Sequence, residues 1–309
     1  MVVGNYQVFK YFLDKLEQSI PFNLYNDIDE INVNNLPVFL NIPESYNINI
    51  REYIGTKSIE GAKIALKSLT VALKIIEKFK LPILITMPVC KETIQKIHPQ
   101  FLGQTELLAN SFLSKNVFQT YFNDTFFYTL LTSHIPLRNV KNYITLNNIE
   151  VAVSKIQEFF GYYFDKKDIK LAILCLNPHC GEFLKNREED KIKSIVENLR
   201  RKNINIEGPY SFEYSIKLFE GGKIDACIGI YHDQIIPPLK ILTKMNLTEL
   251  NIGLPVLRLG PVHGVGFDIA NQYKADFTST AYTLKIAHKY LKEILSKKLG
   301  LFYNLNSNE

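Results

Sequence analysis

Short apolar runs alternate along this chain with longer stretches in which apolar residues recur at helical spacing. The clearest helical stretch follows Ser58, a residue type that caps helix N-termini, and continues to Lys80. Others span 105–115, 148–160, 187–202 and 280–296. The apolar runs are PVFLNI, PILITM, TFFYTLLTS, KLAILCL and DACIGIY, starting at Pro37, Pro82, Thr125, Lys170 and Asp225. This alternation predicts βαβ units, and therefore an α/β fold with largely parallel sheets covered on both faces.

The length of 309 residues suffices for two such domains. The net charge of +5 is mild and spread along the chain, which argues against a nucleic-acid partner. No apolar run approaches the roughly 18 residues that span a bilayer, and the N-terminus has no signal-peptide layout. The four cysteines form no CxxC pair and are expected as buried free thiols. Together these features predict a cytoplasmic protein without a membrane partner.

Three of the six histidines share one sequence context, an apolar strand that ends in a polar turn. They are His134 in YTLLTSHIPLRNV, His179 in AILCLNPHCGE and His232 in ACIGIYHDQIIPPLK. At the carboxyl ends of strands in one sheet, three imidazoles could bind one divalent ion such as zinc or cobalt and leave a position open for substrate. The alternative, in which each is a hydrogen-bonded residue at a strand end, is about as favoured by the sequence alone.

Charged residues near these histidines suit an anionic substrate. Asp233 could orient His232, contact a substrate amine or take a proton. Lys240 and Arg258 would suit a phosphorylated carboxylate, although a single surface lysine or arginine is more often simply solvated. The chain has neither GxGxxG nor GxxxxGK[ST], so a conventional nucleotide-binding loop is not predicted.

Several of these segments resemble motifs of the 4-hydroxythreonine-4-phosphate dehydrogenase family of vitamin B6 synthesis. TMPVCKETI resembles TAPINKEAL, GQTELLA resembles GHTEFLA, and NPHCGE resembles NPHAGE. YHDQIIPPLK resembles YHDQGLPVLK, and GLPVLRLGPVHGVGFDIA resembles GLPFIRTSPDHGTALDLA. The resemblance extends over nearly the whole chain and keeps the motifs in order.

The resemblance implies a fold like that of isocitrate and isopropylmalate dehydrogenases, with two α/β/α domains and a cleft between them. We expect residues 1–100 and 251–309 to form the first domain, with the C-terminal helix from Thr280 packed on it, and residues 101–250 to form the second. The resemblance also implies a homodimer with the metal site near the subunit interface.

The implied reaction is NAD-dependent oxidation of 4-phosphohydroxy-L-threonine, followed by decarboxylation to 3-amino-2-oxopropyl phosphate. NAD or NADP and one divalent ion (Zn, Mg or Co) would be required. By matching motifs, the metal ligands would be His134, His179 and His232, and the substrate contacts would be Thr105, Lys240 and Arg258. Asp233 and Lys240 are the candidate catalytic residues.

The chain departs from the family pattern at several places, including the N-terminal turn and two substrate positions. The family's opening GDPAGIGPE turn, with its strand–helix unit, has no counterpart ahead of Met1. Gln104 stands where the family has a substrate-contacting histidine, and Glu249 where it has a substrate-contacting asparagine. These departures leave three alternatives: the same chemistry on a related 4-phosphorylated hydroxy acid, a non-catalytic metal-binding family member, and an acyltransferase acting on phosphate.

Overall fold

The computed structural model describes residues 1–43, 50–183 and 187–306. In its first part the elements are β1 (Val2–Gly4), α1 (Tyr6–Lys15), β2 (Asn23–Tyr25), β3 (Val38–Asn41), α2 (Ile50–Tyr53), α3 (Ile59–Phe79), β4 (Ile83–Ile85), α4 (Lys91–Ile97) and α5 (Gln104–Ser111). The later elements are β5 (Phe118–Phe122), β6 (Phe127–Leu130), α6 (Leu146–Phe164), β7 (Leu171–Leu174), α7 (Glu188–Arg201), β8 (Ile206–Tyr210), α8 (Phe212–Glu220), β9 (Ala226–Gly229), α9 (His232–Leu242), β10 (Thr248–Ile252), β11 (Leu257–Pro261) and α10 (Thr278–Asn306). Short 3₁₀ turns cover Leu137–Tyr143, Pro178–Gly181 and Ala270–Gln272.

The predicted α/β fold is confirmed. The five apolar runs form β3, β4, β6, β7 and β9, and each predicted helix is present. Ser58 caps α3 as expected, because its side chain accepts a hydrogen bond of 3.0 Å from the backbone N–H of Gly61. The sequence patterns did not identify β2, β5, β8, β10 and β11, or helices α1, α2, α8 and α9.

The structure corrects the predicted domain boundaries. One compact unit comprises residues 1–107 and 263–277, and the other comprises 108–262 and the chain from 278 onward. The hairpin β10–β11 and helix α10 therefore belong with the second unit, not the first. The reason is hydrogen bonding and packing: β10 pairs with β5, and α10 packs on β10, β11 and α6.

In the first unit, β1, β3 and β2 form a small parallel sheet in the order β1-β3-β2. Helix α3 packs against β1, and Ile75 of α3 joins Val38 and Leu40 of β3 in a buried cluster. An apolar face of α3 thus packs on this small sheet.

In the second unit, strands pair in the order β11-β10-β5-β6-β9-β7-β8. The pairs β6–β9, β9–β7 and β7–β8 are parallel, whereas β5–β6, β5–β10 and β10–β11 are antiparallel. The parallel part contains three neighbouring strands, β6, β9 and β7, whose carboxyl ends lie at the same edge of the sheet.

This parallel region forms the centre of the second core. Strands β7 and β9 are buried along their whole length, which explains why their sequences are apolar without alternation. Helix α6 contributes Ile149, Ala152, Val153 and Ile156, each with no exposed surface.

All four cysteines are free, but only Cys175 and Cys227 are buried; Cys90 and Cys180 are partly exposed. Among the described residues, no helix is long and apolar enough to cross a membrane.

Ser279, in the first turn of α10, connects the helix to the strands beneath it. Its hydroxyl donates to the carbonyl oxygen of Leu247 at 2.9 Å and accepts from the N–H of Val262 at 2.8 Å. Only 1% of Ser279 is exposed, so water cannot replace these bonds.

We expect Ser279→Ala to lower the free energy of unfolding by about 2–3 kcal/mol, because it leaves a buried donor and a buried acceptor unpaired. Ser194→Ala, at an exposed position of α7, is the matched control and should change it by less than about 0.5 kcal/mol. Urea denaturation of the full chain measures both. Equal effects for the two variants would contradict a stabilising role of the two hydrogen bonds of Ser279.

Candidate functional site

The three predicted histidines follow the three neighbouring parallel strands. His134 comes after β6, His179 after β7, and His232 is the first residue of α9, directly after β9. Because the carboxyl ends of parallel strands share one edge, all three lie at the edge where open α/β sheets bind ligands.

His134 and His232 lie beside each other, with ring centroids 5.9 Å apart and ring planes inclined by 38°. The Nδ1 of His232 is 2.6 Å from Oδ1 of Asp233. If Nδ1 carries the proton and donates to this carboxylate, Nε2 is left as the free electron-pair donor of the ring. That tautomer is the one in which a carboxylate orients a metal-binding histidine.

His179 is exposed and lies in a left-handed turn, with φ of 51° at His179 and 50° at Cys180. The structure does not gather it with the other two histidines. Within the described ranges, no group of three or more His, Cys, Asp or Glu side chains is arranged to hold a metal ion. One chain thus brings together two of the three predicted ligands.

Two polar side chains that sequence reasoning did not single out connect the strand ends. The hydroxyl of Thr132 donates to the carbonyl oxygen of Ile230 at 2.6 Å, linking the end of β6 to that of β9. Gln234 accepts from the N–H of Ile230 at 2.8 Å and donates to the carbonyl oxygen of Cys175 at 2.7 Å, linking β9 to β7. Gln234 belongs to the YHDQ motif. Its position two residues after His232 is the sequence feature from which a role at this site could have been predicted.

Lys240 lies in the last turn of the same helix that begins at His232. Burial lowers the pKa of Lys240 below its ordinary value, and the charge of Glu249 opposes that shift. A lysine with a lowered pKa loses its proton more readily and suits proton transfer.

Arg258 is held by its neighbours on the sheet. Its Nη1 donates to Oε1 of Glu249 at 2.5 Å and to Oδ1 of Asn251 at 3.1 Å. The side chains of Arg258 and Glu249 are 5% and 16% exposed, so this is a buried ion pair. Glu249 lies opposite Tyr121 in the register of β10 and β5. Burial, assisted by the charge of Glu249, raises the pKa of Tyr121 well above its ordinary value.

Thr105 and Gln104 lie in the first turn of α5. The side-chain amide of Gln104 donates to the carbonyl oxygen of Met87 at 2.8 Å. Both residues belong to the first compact unit, whereas the histidines, Lys240 and Arg258 belong to the second.

The comparisons with known proteins agree on one family. The sequence model described as "Pyridoxal phosphate biosynthetic protein PdxA" matches residues 1–287. The 4-hydroxythreonine-4-phosphate dehydrogenase of Sulfurihydrogenibium sp. (strain YO3AOP1) is 32% identical over 244 residues, which are 78% of this chain and 74% of that protein. The protein of the same name from Bacteroides thetaiotaomicron is 26% identical over 290 residues, 93% of this chain and 79% of its own.

Among solved structures, the 4-hydroxythreonine-4-phosphate dehydrogenase from Klebsiella pneumoniae matches with a TM-score of 0.77 at 23% identity, covering 94% of this chain and 89% of that chain. At this identity the likeness supports the fold.

The buried pair of Arg258 and Glu249 gives a prediction on stability. Glu249→Gln should lower the free energy of unfolding by about 3 kcal/mol, because a buried guanidinium loses its counter-charge. The double variant Glu249→Gln/Arg258→Met should recover at least half of that loss, since no unpaired charge remains. Glu150→Gln, which removes an exposed ion pair with Lys202, is the control and should cost under about 1 kcal/mol. A double variant less stable than Glu249→Gln alone would contradict this account.

Proposed function

Because the chain belongs to the PdxA family of pyridoxal phosphate biosynthetic proteins, we propose that it oxidises 4-phosphohydroxy-L-threonine and releases CO₂, giving 3-amino-2-oxopropyl phosphate. NAD or NADP is the proposed hydride acceptor, and one divalent ion, Zn, Mg or Co, is the proposed metal. The proposed compartment is the cytoplasm. Homologues across the matched length are dehydrogenases by name, so the chain is an enzyme of this class.

The observation that carries the metal proposal is the pair His134 and His232. Their rings lie 5.9 Å apart at the carboxyl ends of adjacent parallel strands, a separation that suits two imidazoles binding one ion. Neutral imidazole is a good donor for zinc and cobalt. The donor set of these two residues therefore fits a divalent metal.

His179 is the proposed third ligand. The described residues of one chain do not bring it to the other two. A homodimer with the metal site near its interface allows a histidine from a second copy to complete the set, and we propose that assembly.

Lys240 is the proposed base. When bound, the metal stabilises negative charge on the substrate oxygen and NAD accepts the hydride. The amine of Lys240 takes the proton of the 3-hydroxyl as hydride leaves C3 of the substrate. The bond between C2 and the carboxylate carbon then breaks and CO₂ departs. The electron pair of that bond passes toward the new carbonyl group at C3. Protonated Lys240 can return its proton to the resulting carbanionic carbon. Its lowered pKa favours both transfers.

Asp233 is proposed to orient His232 through Nδ1 and to accept a proton at the site. It is well placed for this because its side chain is 78% exposed while its Oδ1 lies 2.6 Å from the ring. Thr105, Lys240 and Arg258 are the proposed substrate contacts.

The second candidate is the same chemistry on a related 4-phosphorylated hydroxy acid. The ion pair between Arg258 and Glu249 favours it, because the guanidinium already has a carboxylate partner. A substrate anion must compete with Glu249 for Arg258, which weakens binding of the usual substrate relative to a chain with asparagine there.

Elemental analysis tests the metal site. Purified protein should contain one divalent ion per chain, and alanine at His134, His179 or His232 should remove most of it, since each loses one of three ligands. His288→Ala, at an exposed position of α10, is the control and should keep the metal. Full metal content in all three variants would refute the proposed ligand set.

Steady-state kinetics test the substrate site. Lys240→Ala should lower kcat/KM at least tenfold with metal content unchanged, because losing one charge-assisted contact costs about 1.5–3 kcal/mol, or roughly 10- to 150-fold. Lys193→Ala, on the exposed face of α7, should have no effect.

Glu249→Asn should raise activity on 4-phosphohydroxy-threonine, because it frees Arg258 for the substrate. Lower activity in this variant, with Lys240→Ala unchanged, would mean that β10 and α9 do not form the substrate site. Faster turnover of a threonate or erythronate 4-phosphate than of 4-phosphohydroxy-threonine would support the second candidate function.

A further inference from the structure

The turn that carries His179 is strained. His179, Cys180 and Gly181 all have positive φ, at 51°, 50° and 70°. The left-handed conformation costs roughly 1–2 kcal/mol for each residue with a Cβ, so two of the three positions are unfavourable. A strained turn keeps its conformation only where the surrounding structure holds it.

Glu189 holds the entry to this turn. It lies in the first turn of α7 and has no exposed surface. Its Oε1 accepts from the backbone N–H of Leu176 at 2.9 Å and from that of Asn177 at 2.7 Å. The side-chain amide of Asn177 also donates to Oε2 at 3.0 Å. One buried carboxylate thus binds three N–H groups of the two residues before Pro178.

The charge state of Glu189 agrees with that role. Burial by itself raises the pKa of a carboxyl, but the hydrogen bonds from Asn177 and from backbone N–H groups outweigh it, so the pKa of Glu189 lies below its ordinary value. Glu189 is therefore ionised at neutral pH and accepts charge-assisted hydrogen bonds.

Two contacts hold the exit of the turn against the same part of α7. Nη1 of Arg187 donates to the carbonyl oxygen of Gly181 at 3.3 Å, while its Nε and Nη2 bind the carboxylate of Asp190. A Cβ added at Gly181 would lie 2.5 Å from Oε2 of Glu189. The turn is thus packed so closely against the start of α7 that a side chain at position 181 would clash with Glu189.

We propose that Glu189 is a positioning residue for His179: its carboxylate fixes Leu176 and Asn177, and so holds the strained turn in the conformation that presents the imidazole. The proposal rests on the ligand role of His179 in the proposed function. None of the bonds of Glu189 reaches the imidazole itself, so its effect on a ligand would pass entirely through the backbone.

The variant Glu189→Gln tests this with little change in shape. The glutamine oxygen can still accept from the backbone, but its amide nitrogen then faces the amide nitrogen of Asn177, donor against donor. Glu197→Gln, at an exposed position of the same helix, is the matched control. The probe is Co²⁺ titrated into metal-free protein, at a temperature where circular dichroism shows every variant folded.

We expect Glu189→Gln to weaken Co²⁺ binding by about 10- to 100-fold, the range found when a residue supporting a metal ligand is lost, and Glu197→Gln to leave it unchanged. In a His179→Ala background, Glu189→Gln should weaken binding less than threefold, because the ligand through which it acts is absent. A role confined to stability would lower the unfolding midpoint and leave Co²⁺ affinity intact, and that result overturns the proposal.

Hydrogen exchange separates this inference from the proposed function. Amide exchange in the peptide 175–183 should accelerate at least tenfold in Glu189→Gln and not in Glu197→Gln. Unchanged exchange overturns the inference whatever the metal result. Faster exchange together with full Co²⁺ affinity in His179→Ala supports Glu189 as the residue that holds the turn, while refuting His179 as a ligand.

Discussion

Parallel pairing of β6, β9 and β7 is the constraint on which the rest of the site depends. The strands are buried on both faces, so their apolar side chains fix them in the sheet and leave only their ends available for polar chemistry. Because these strands run in the same direction, their ends lie at one edge, and His134 and His232 become neighbours although about a hundred positions separate them. The hydrogen bonds of Thr132 and Gln234 then set the distance between adjacent ends.

Much of this arrangement could be predicted because it is local. The runs that became β7 and β9 are continuously apolar, and the capped stripe after Ser58 has helical spacing; both are read within a window of about twenty residues. The position of the histidines after strands follows from the same reading. What could not be predicted is non-local. Nothing in the residues of β10 says that it pairs with β5, and that pairing places the hairpin β10–β11 in the second unit, together with α10, which packs on it.

The candidate site shows the same division. The residue types of Arg258 and Glu249 were visible in the sequence, but the ion pair between them was not. Their pairing depends on the register of a two-stranded ladder, in which residues nine apart become diagonal neighbours. Glu189 was hidden for a different reason. It looks like one of three acidic residues that favour the start of a helix, and only the fold shows that its carboxylate turns inward to the loop of His179.

Helix α9 carries His232 at its first residue and Lys240 in its last turn. A metal ligand and the proposed base therefore share one rigid element, and their separation along its axis is about 12 Å at a rise of 1.5 Å per residue. Rocking of the helix moves both groups as one body and does not alter the span between them. Adding or removing a single residue between them would rotate Lys240 about 100° around the axis, away from Glu249. The eight-residue interval therefore behaves as an indivisible unit, in which side chains can be exchanged but length cannot.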